Sequence, residues 1–209
     1  MRTTIGSIVA VLLLAAGNSV AQVAPGPGDL PPPGYGTLNQ DMLTVQFTDG
    51  DVQVRFLPLD ERLLRLIAPD GYQSLHGVVV ARRQQIDSAA RAANLATPGL
   101  ALISFFGLRD GVTFDPQNFS LSYRNQVYRP AAIVPLTANF TGRQLQVRRQ
   151  ASAIFIFEVE IPIFEQFSII YGSTQSDAWT NILPTIERER GRVLARSQVA
   201  PKGSTGRKP

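Results

Sequence analysis

The sequence predicts a mainly β protein: an antiparallel β-sandwich carrying one or two inserted short helices and a C-terminal helix. Three observations predict it. Apolar and polar residues alternate on either side of Asp49-Gly50, a run of short aromatic-rich segments punctuated by Asn, Gly and Pro extends from Phe114 to Gly172, and helical periodicity is confined to short windows.

The first element is a hairpin, Met42 to Phe47 and Val52 to Leu57. Leu43, Val45 and Phe47 alternate with Thr44 and Gln46, and Val52, Val54 and Phe56 with Gln53 and Arg55, so each strand has one face for a core. Asp49-Gly50-Asp51 supplies turn chemistry and lacks the further oxygen ligands of a calcium loop. Pro58 ends the strand, Asp60 caps a helix from Glu61 to Ile67, and Pro69-Asp70-Gly71 is expected to stop it. Val78 to Val80 reads as a short strand or as the entry to a helix over about 81–95. In that helix Ile86, Ala89, Ala90, Ala93 and Leu95 form the apolar stripe. Leu100 to Leu108 is apolar on both faces, as expected of a strand in a sandwich with a helix packed outside.

Phe119, Leu121 and Tyr123 share a face, Asn125-Gln126 turns, and Val127-Tyr128 returns. Ile133 to Leu136 and Leu145 to Val147 read as edge segments, with Pro130 and Pro135 blocking further ladder pairing. The longest strand is expected over Ala153 to Ile161 and the last over Phe167 to Tyr171. A short helix from Ile186 to Arg196 follows, with Glu187 to Arg190 and Glu189 to Arg192 as pairs three residues apart.

The chain ends set further bounds. Residues 1–21 have the parts of a secretory signal: Arg2, an apolar run from Ile8 to Ala16, and a small-x-small site at Ser19-Val20-Ala21. Residues 22–40 read as a Pro/Gly-rich linker, 41–185 as the sandwich domain, and 186–209 as a basic short helix and disordered tail. Export is therefore expected, to a periplasm or the extracellular space, with no transmembrane span after cleavage. With no cysteine, the fold rests on its core alone.

The net charge of +4 divides unevenly. From Gln22 to Thr185 there are 12 Arg against 14 acidic residues, whereas Ile186 to Pro209 holds 5 Arg and 2 Lys against two Glu. The basic character thus belongs to a tail without aromatics, which argues against nucleic acid as a partner and leaves weak contact with acidic surfaces.

Candidate chemistry is sparse. His76 is the only histidine; Ser74 is near it in sequence, but no glycine-flanked nucleophile turn surrounds either residue. One histidine without cysteine does not make a zinc or copper site, so no metal or cofactor is expected. Glu158 and Glu160 would lie on one strand face about 7 Å apart, a spacing a glycosidase pair can use, although two carboxylates on a wet face need no function. Trp179 is expected at the rim, closing one end of the sandwich or stacking on a sugar. Surface or ligand contact is expected from Trp179, Tyr171 and His76, with no catalytic residue assigned. Asn118-Phe119-Ser120 and Asn139-Phe140-Thr141 match the glycosylation acceptor pattern.

The pattern Phe114-x-x-x-Asn118-Phe119-x-Leu121, with Asn125-Gln126, Tyr128-x-Pro130, Ala153-Ile154-Phe155-Ile156-Phe157 and Ile169-Ile170-Tyr171-Gly172, resembles small secreted bacterial immunoglobulin-like domains. The resemblance covers residues 114–172. It implies an immunoglobulin-like antiparallel sandwich of the extracellular antigen type and carries over no functional residue; the helix near 81–95 departs from it. The expected function is a non-enzymatic exported module that binds or scaffolds another envelope protein. The alternatives are a carrier of a small apolar ligand, with a pocket between helix and sheet, and a carbohydrate-active hydrolase using Glu158, Glu160 or His76.

Overall fold

The computed structural model describes residues 30–147 and 149–199. The expected signal, the start of the linker and the residues from 200 onward lie outside the described residues. Among the described residues eleven strands occur in chain order: β1 (Val45–Asp49), β2 (Val52–Pro58), β3 (Gly99–Gly107), β4 (Val112–Thr113), β5 (Phe119–Tyr123), β6 (Gln126–Tyr128), β7 (Pro130–Pro135), β8 (Gln144–Leu145), β9 (Gln150–Phe157), β10 (Ser168–Tyr171) and β11 (Thr174–Ser176). The helices are α1 (Glu61–Leu64), α2 (Pro69–Ala81), α3 (Arg83–Ala92) and α4 (Trp179–Val199).

A five-stranded sheet in the order β1-β2-β3-β9-β7 faces a four-stranded sheet in the order β11-β10-β5-β6, and β4 pairs with β8 beside them. Every pairing between these strands is antiparallel. The period of two sends Val54, Phe56, Ile103, Phe105, Phe155 and Phe157 inward from the larger sheet, where they meet Phe119, Leu121, Ile169 and Tyr171 of the smaller one. Phe119 joins the layers, its ring 5.9 Å from Phe56, 5.5 Å from Phe155 and 6.3 Å from Phe157. Phe105 meets Tyr171 at 5.3 Å.

The larger sheet has a second apolar face. Ile154 and Ile156 of β9 point outward yet are fully buried, because the helices between β2 and β3 lie over that side, with α3 against β7. Leu75, Ile86 and Ala90 supply the buried helical contacts. The helical insertion is longer than the sequence suggests. Pro69-Asp70-Gly71 does not stop a helix; Pro69 begins one, at a position where its missing N–H costs nothing. Val78 to Val80 are helical, since no neighbouring strand is placed to pair with them.

Two further boundaries move. The strand expected over Ala153 to Ile161 ends at Phe157, which pairs with Gly99 on one side and Pro130 on the other. Pro98 precedes the first partner and Pro130 opens the second, so both ladders stop there. The C-terminal helix begins seven residues earlier than the expected start, at Trp179, and runs through Pro184 to Val199. Ile186, Glu189, Arg190 and Val193 of α4 are buried, so this helix belongs to the domain and is no appended tail.

From residue 31 onward the linker is a strap fixed to the domain. Leu38 bridges Ile67 in parallel and exchanges hydrogen bonds with Leu66 and Ala68. Gly36 lies so close to the Leu66 carbonyl carbon that a Cβ would fall 2.3 Å from it. Arg65 donates to the Pro31 carbonyl, and Glu189 of α4 accepts from both the N–H and the hydroxyl of Thr37. Among the described residues no helix is long and apolar enough to cross a membrane.

Candidate functional site

The turn from β1 to β2, the connection from β3 to β5, the segment between β7 and β9, and the turn from β10 to β11 gather at one end of the molecule. Backbone hydrogen bonds tie them together: Leu108 to the Asp51 carbonyl, Gly111 to that of Leu145, Phe114 to that of Arg143, and Gly172 to that of Asn118. Between them opens a cleft of about 840 Å³.

Each carboxylate of this cleft has a structural task. Asp49 Oδ1 accepts from the hydroxyls of Ser173 and Thr174 at 3.0 and 2.8 Å, fixing the β10–β11 turn to the first hairpin. Asp51 pairs with Arg109. Asp110 accepts the Val147 N–H at 2.7 Å, and Asp115 accepts the Gln117 N–H while facing Arg143 at 3.6 Å. Tyr171 closes the floor: its ring is in the core and its oxygen accepts the Asp115 N–H at 3.2 Å. Burial pushes the Tyr171 phenol above its ordinary value, so it stays protonated at neutral pH.

Beside the cleft, Val147 bridges Gly107, and Leu108 and Val147 are 48% and 42% exposed. Two exposed apolar side chains thus stand at this end among paired charges. Sequence reasoning named Tyr171, Asn118 and the Asp49-Gly50-Asp51 turn of this end but did not join them. Its available signal was the repetition of Asp and Gly at strand ends, in Asp49-Gly50-Asp51 and Arg109-Asp110-Gly111.

The other expected residues are scattered. Trp179 is not at a rim: it is fully buried at the start of α4, 5.1 Å from the Phe167 ring, and presents nothing to a sugar. His76 is exposed on α2, stacked on Tyr72 with Nδ1 3.5 Å from Glu61, and Glu61 also accepts from Tyr72 and Arg65. Glu158 and Glu160 are off the strand, so the expected shared face does not exist, and Glu160 meets Arg62 at 3.5 Å. Asn118 is exposed at the cleft, whereas the Asn139 amide donates to the Gln150 carbonyl. Among the described residues no group of three or more acidic or histidine side chains is arranged to hold a metal ion.

These features define a mainly antiparallel β protein with a loop-built cleft at one end. Comparison with family models, curated proteins and solved structures found no significant match.

Proposed function

We propose that this chain is an exported, non-catalytic immunoglobulin-like module that engages a protein partner of the cell envelope or extracellular space through its loop end. The observation that carries the reading is the exposure of Leu108 and of Val147 at an end framed by mutually satisfied charges. Carboxylates occupied in holding loops are poorly placed for proton transfer and well placed to keep a binding surface rigid.

Strand order supports the immunoglobulin-like part. Naming β2, β3, β5, β6, β7, β9, β10 and β11 as A, B, C, C′, D, E, F and G gives one sheet A-B-E-D, extended by β1, and another G-F-C-C′. That is the distribution of strands in immunoglobulin sandwiches, where a disulfide links strands B and F. Here Phe105 of β3 packs on Tyr171 of β10 instead. The cleft lies at the end where the B–C and F–G connections meet, the end that carries the recognition loops in antibody variable domains.

The test is affinity capture from envelope extract with the mature domain and with Leu108→Asp and Val147→Asp variants whose thermal stability matches the parent. Partners retained by the parent and lost by both variants support the reading. An identical set of captured proteins for all three refutes it.

A further inference from the structure

On the opposite side of the larger sheet, β3 presents an outward row of Leu100, Leu102, Ser104 and Phe106. Although β3 is central, with β2 and β9 as neighbours, all four residues are only half-buried. The cause is the placement of the helices. They cover β9, whose Ile154 and Ile156 are sealed, and leave the β3 row as the floor of an open seam.

Two hollows follow one another along this row. The larger, about 650 Å³, is walled by Val79, Ile86, Ala90 and Leu95 over Leu100. The smaller, about 270 Å³, lies over Leu102 and Phe106 and is lined mostly by polar residues, with Arg55, Thr137, Gln150 and Ser152 in its wall. The larger falls in the size range of small-molecule sites, which are apolar with a few placed polar groups.

The charges at the Leu100 end select the head group. Arg83 is neutralised by Asp87, at 3.0 Å across the turn of α3. Arg91 hydrogen-bonds the Asp87 backbone carbonyl and has no carboxylate partner among the described residues. Its guanidinium therefore offers the mouth of the larger hollow a positive charge with donors for an anion.

We infer that the larger hollow between α3 and β3 binds a single-chain amphiphile of the fatty-acid class, its hydrocarbon chain against Val79, Ile86, Ala90, Leu95 and Leu100 and its carboxylate at Arg91. The site is on a different face from the loop-end cleft and stands independently of that reading.

The full chain, stripped of lipid, is titrated with the fluorescent polyene acid cis-parinaric acid, which is then displaced with hexadecanoate and hexadecanol. Saturable one-to-one binding is expected. Ala90→Trp, which fills the larger hollow, weakens both competitors about tenfold or more, whereas Arg91→Glu weakens hexadecanoate by about that factor and leaves hexadecanol unchanged. Because Arg91 is exposed, Arg91→Glu remains informative if Ala90→Trp fails to fold. Absence of saturable binding, or equal affinity of the parent and Arg91→Glu for hexadecanoate, overturns the inference.

Discussion

Removal of the Glu189 carboxylate tests how the strap and the last helix are joined. Glu189 is 1% exposed, and its Oε1 accepts three hydrogen bonds: Thr37 N–H at 3.0 Å, Thr37 hydroxyl at 2.9 Å and Arg196 Nη1 at 2.8 Å. Arg196 also donates to the Tyr35 carbonyl, so one ion pair holds strap and helix at two points. Hydrogen bonds to a charged group are each worth ~1.5–3 kcal/mol, and breaking a buried pair costs ~3–5 kcal/mol. The three bonds share one oxygen and Arg196 is partly exposed, so it recovers some hydration and the lower end applies.

Glu189→Ala is expected to cost about 3 kcal/mol, a fall in melting temperature of about 6–12 °C for a domain of this size. Glu189→Gln keeps an acceptor for Thr37 but loses the charge facing Arg196. It also places an amide nitrogen where Oε2 is buried without a partner, so its cost lies between zero and that of the alanine variant.

The same contact gives a pH dependence. Burial by itself raises the Glu189 carboxyl, but the hydrogen bonds from Arg196 and Thr37 together with the Arg196 charge outweigh it and hold the group below its ordinary value. A carboxyl depressed in the folded state adds stability that is complete above its unfolded value and is lost as pH falls through the folded one. The gap between wild type and Glu189→Ala, measured by urea denaturation, should be widest near neutrality and close under acid. A difference below about 1 kcal/mol at neutral pH, or one that does not change with acid, would refute the reasoning.

Three other substitutions probe packing. Gly36→Ala places a Cβ against the Leu66 and Ile67 backbone, which cannot yield as a side chain can. It should cost about 1–3 kcal/mol in urea denaturation and speed amide exchange at Leu38. Gly172 has φ +58° and its added Cβ would meet the Asp49 carboxylate. Gly172→Ala should cost about 2 kcal/mol, and less in an Asp49→Ala background, where only the backbone strain remains. Phe119→Ala removes the ring that joins both sheets and should cost about 3–5 kcal/mol in thermal or urea unfolding.

The sandwich was legible where one face is buried and the other wet. The β1–β2 hairpin and β5 with its return were read nearly in register, because burial of alternate residues is written directly into residue type. Arg124 and Asn125 form the β5–β6 turn with positive φ, one residue before the expected position. Failures occurred where a second layer intrudes. Val78 to Val80 are β-branched, yet the sheet below them is already complete and they turn into α2, so tertiary packing overrides local preference. Glu158 and Glu160 looked like a continuing strand because alternation persists in the sequence after both partner strands have ended.

The site was harder to read. Asp49 belongs to the β1–β2 turn, Asp110 and Asp115 to the β3–β5 connection and Arg143 to the segment between β7 and β9, and only the ordering of strands into sheets brings them to one end. The strap was read as a linker from its prolines and glycines. The glycine at position 36 is required by close contact, however, and Thr37 meets a glutamate 152 residues away.

The most direct test of the loop-end reading places a photo-crosslinking amino acid in the full chain, in producing cells, at Leu108 and separately at Val127. Val127 is 60% exposed on β6, beside the turn at the opposite end of β5 from Asn118. A discrete crosslinked species from position 108 and none from position 127 is the outcome the account predicts. The same products from both positions, or from 127 alone, would contradict it.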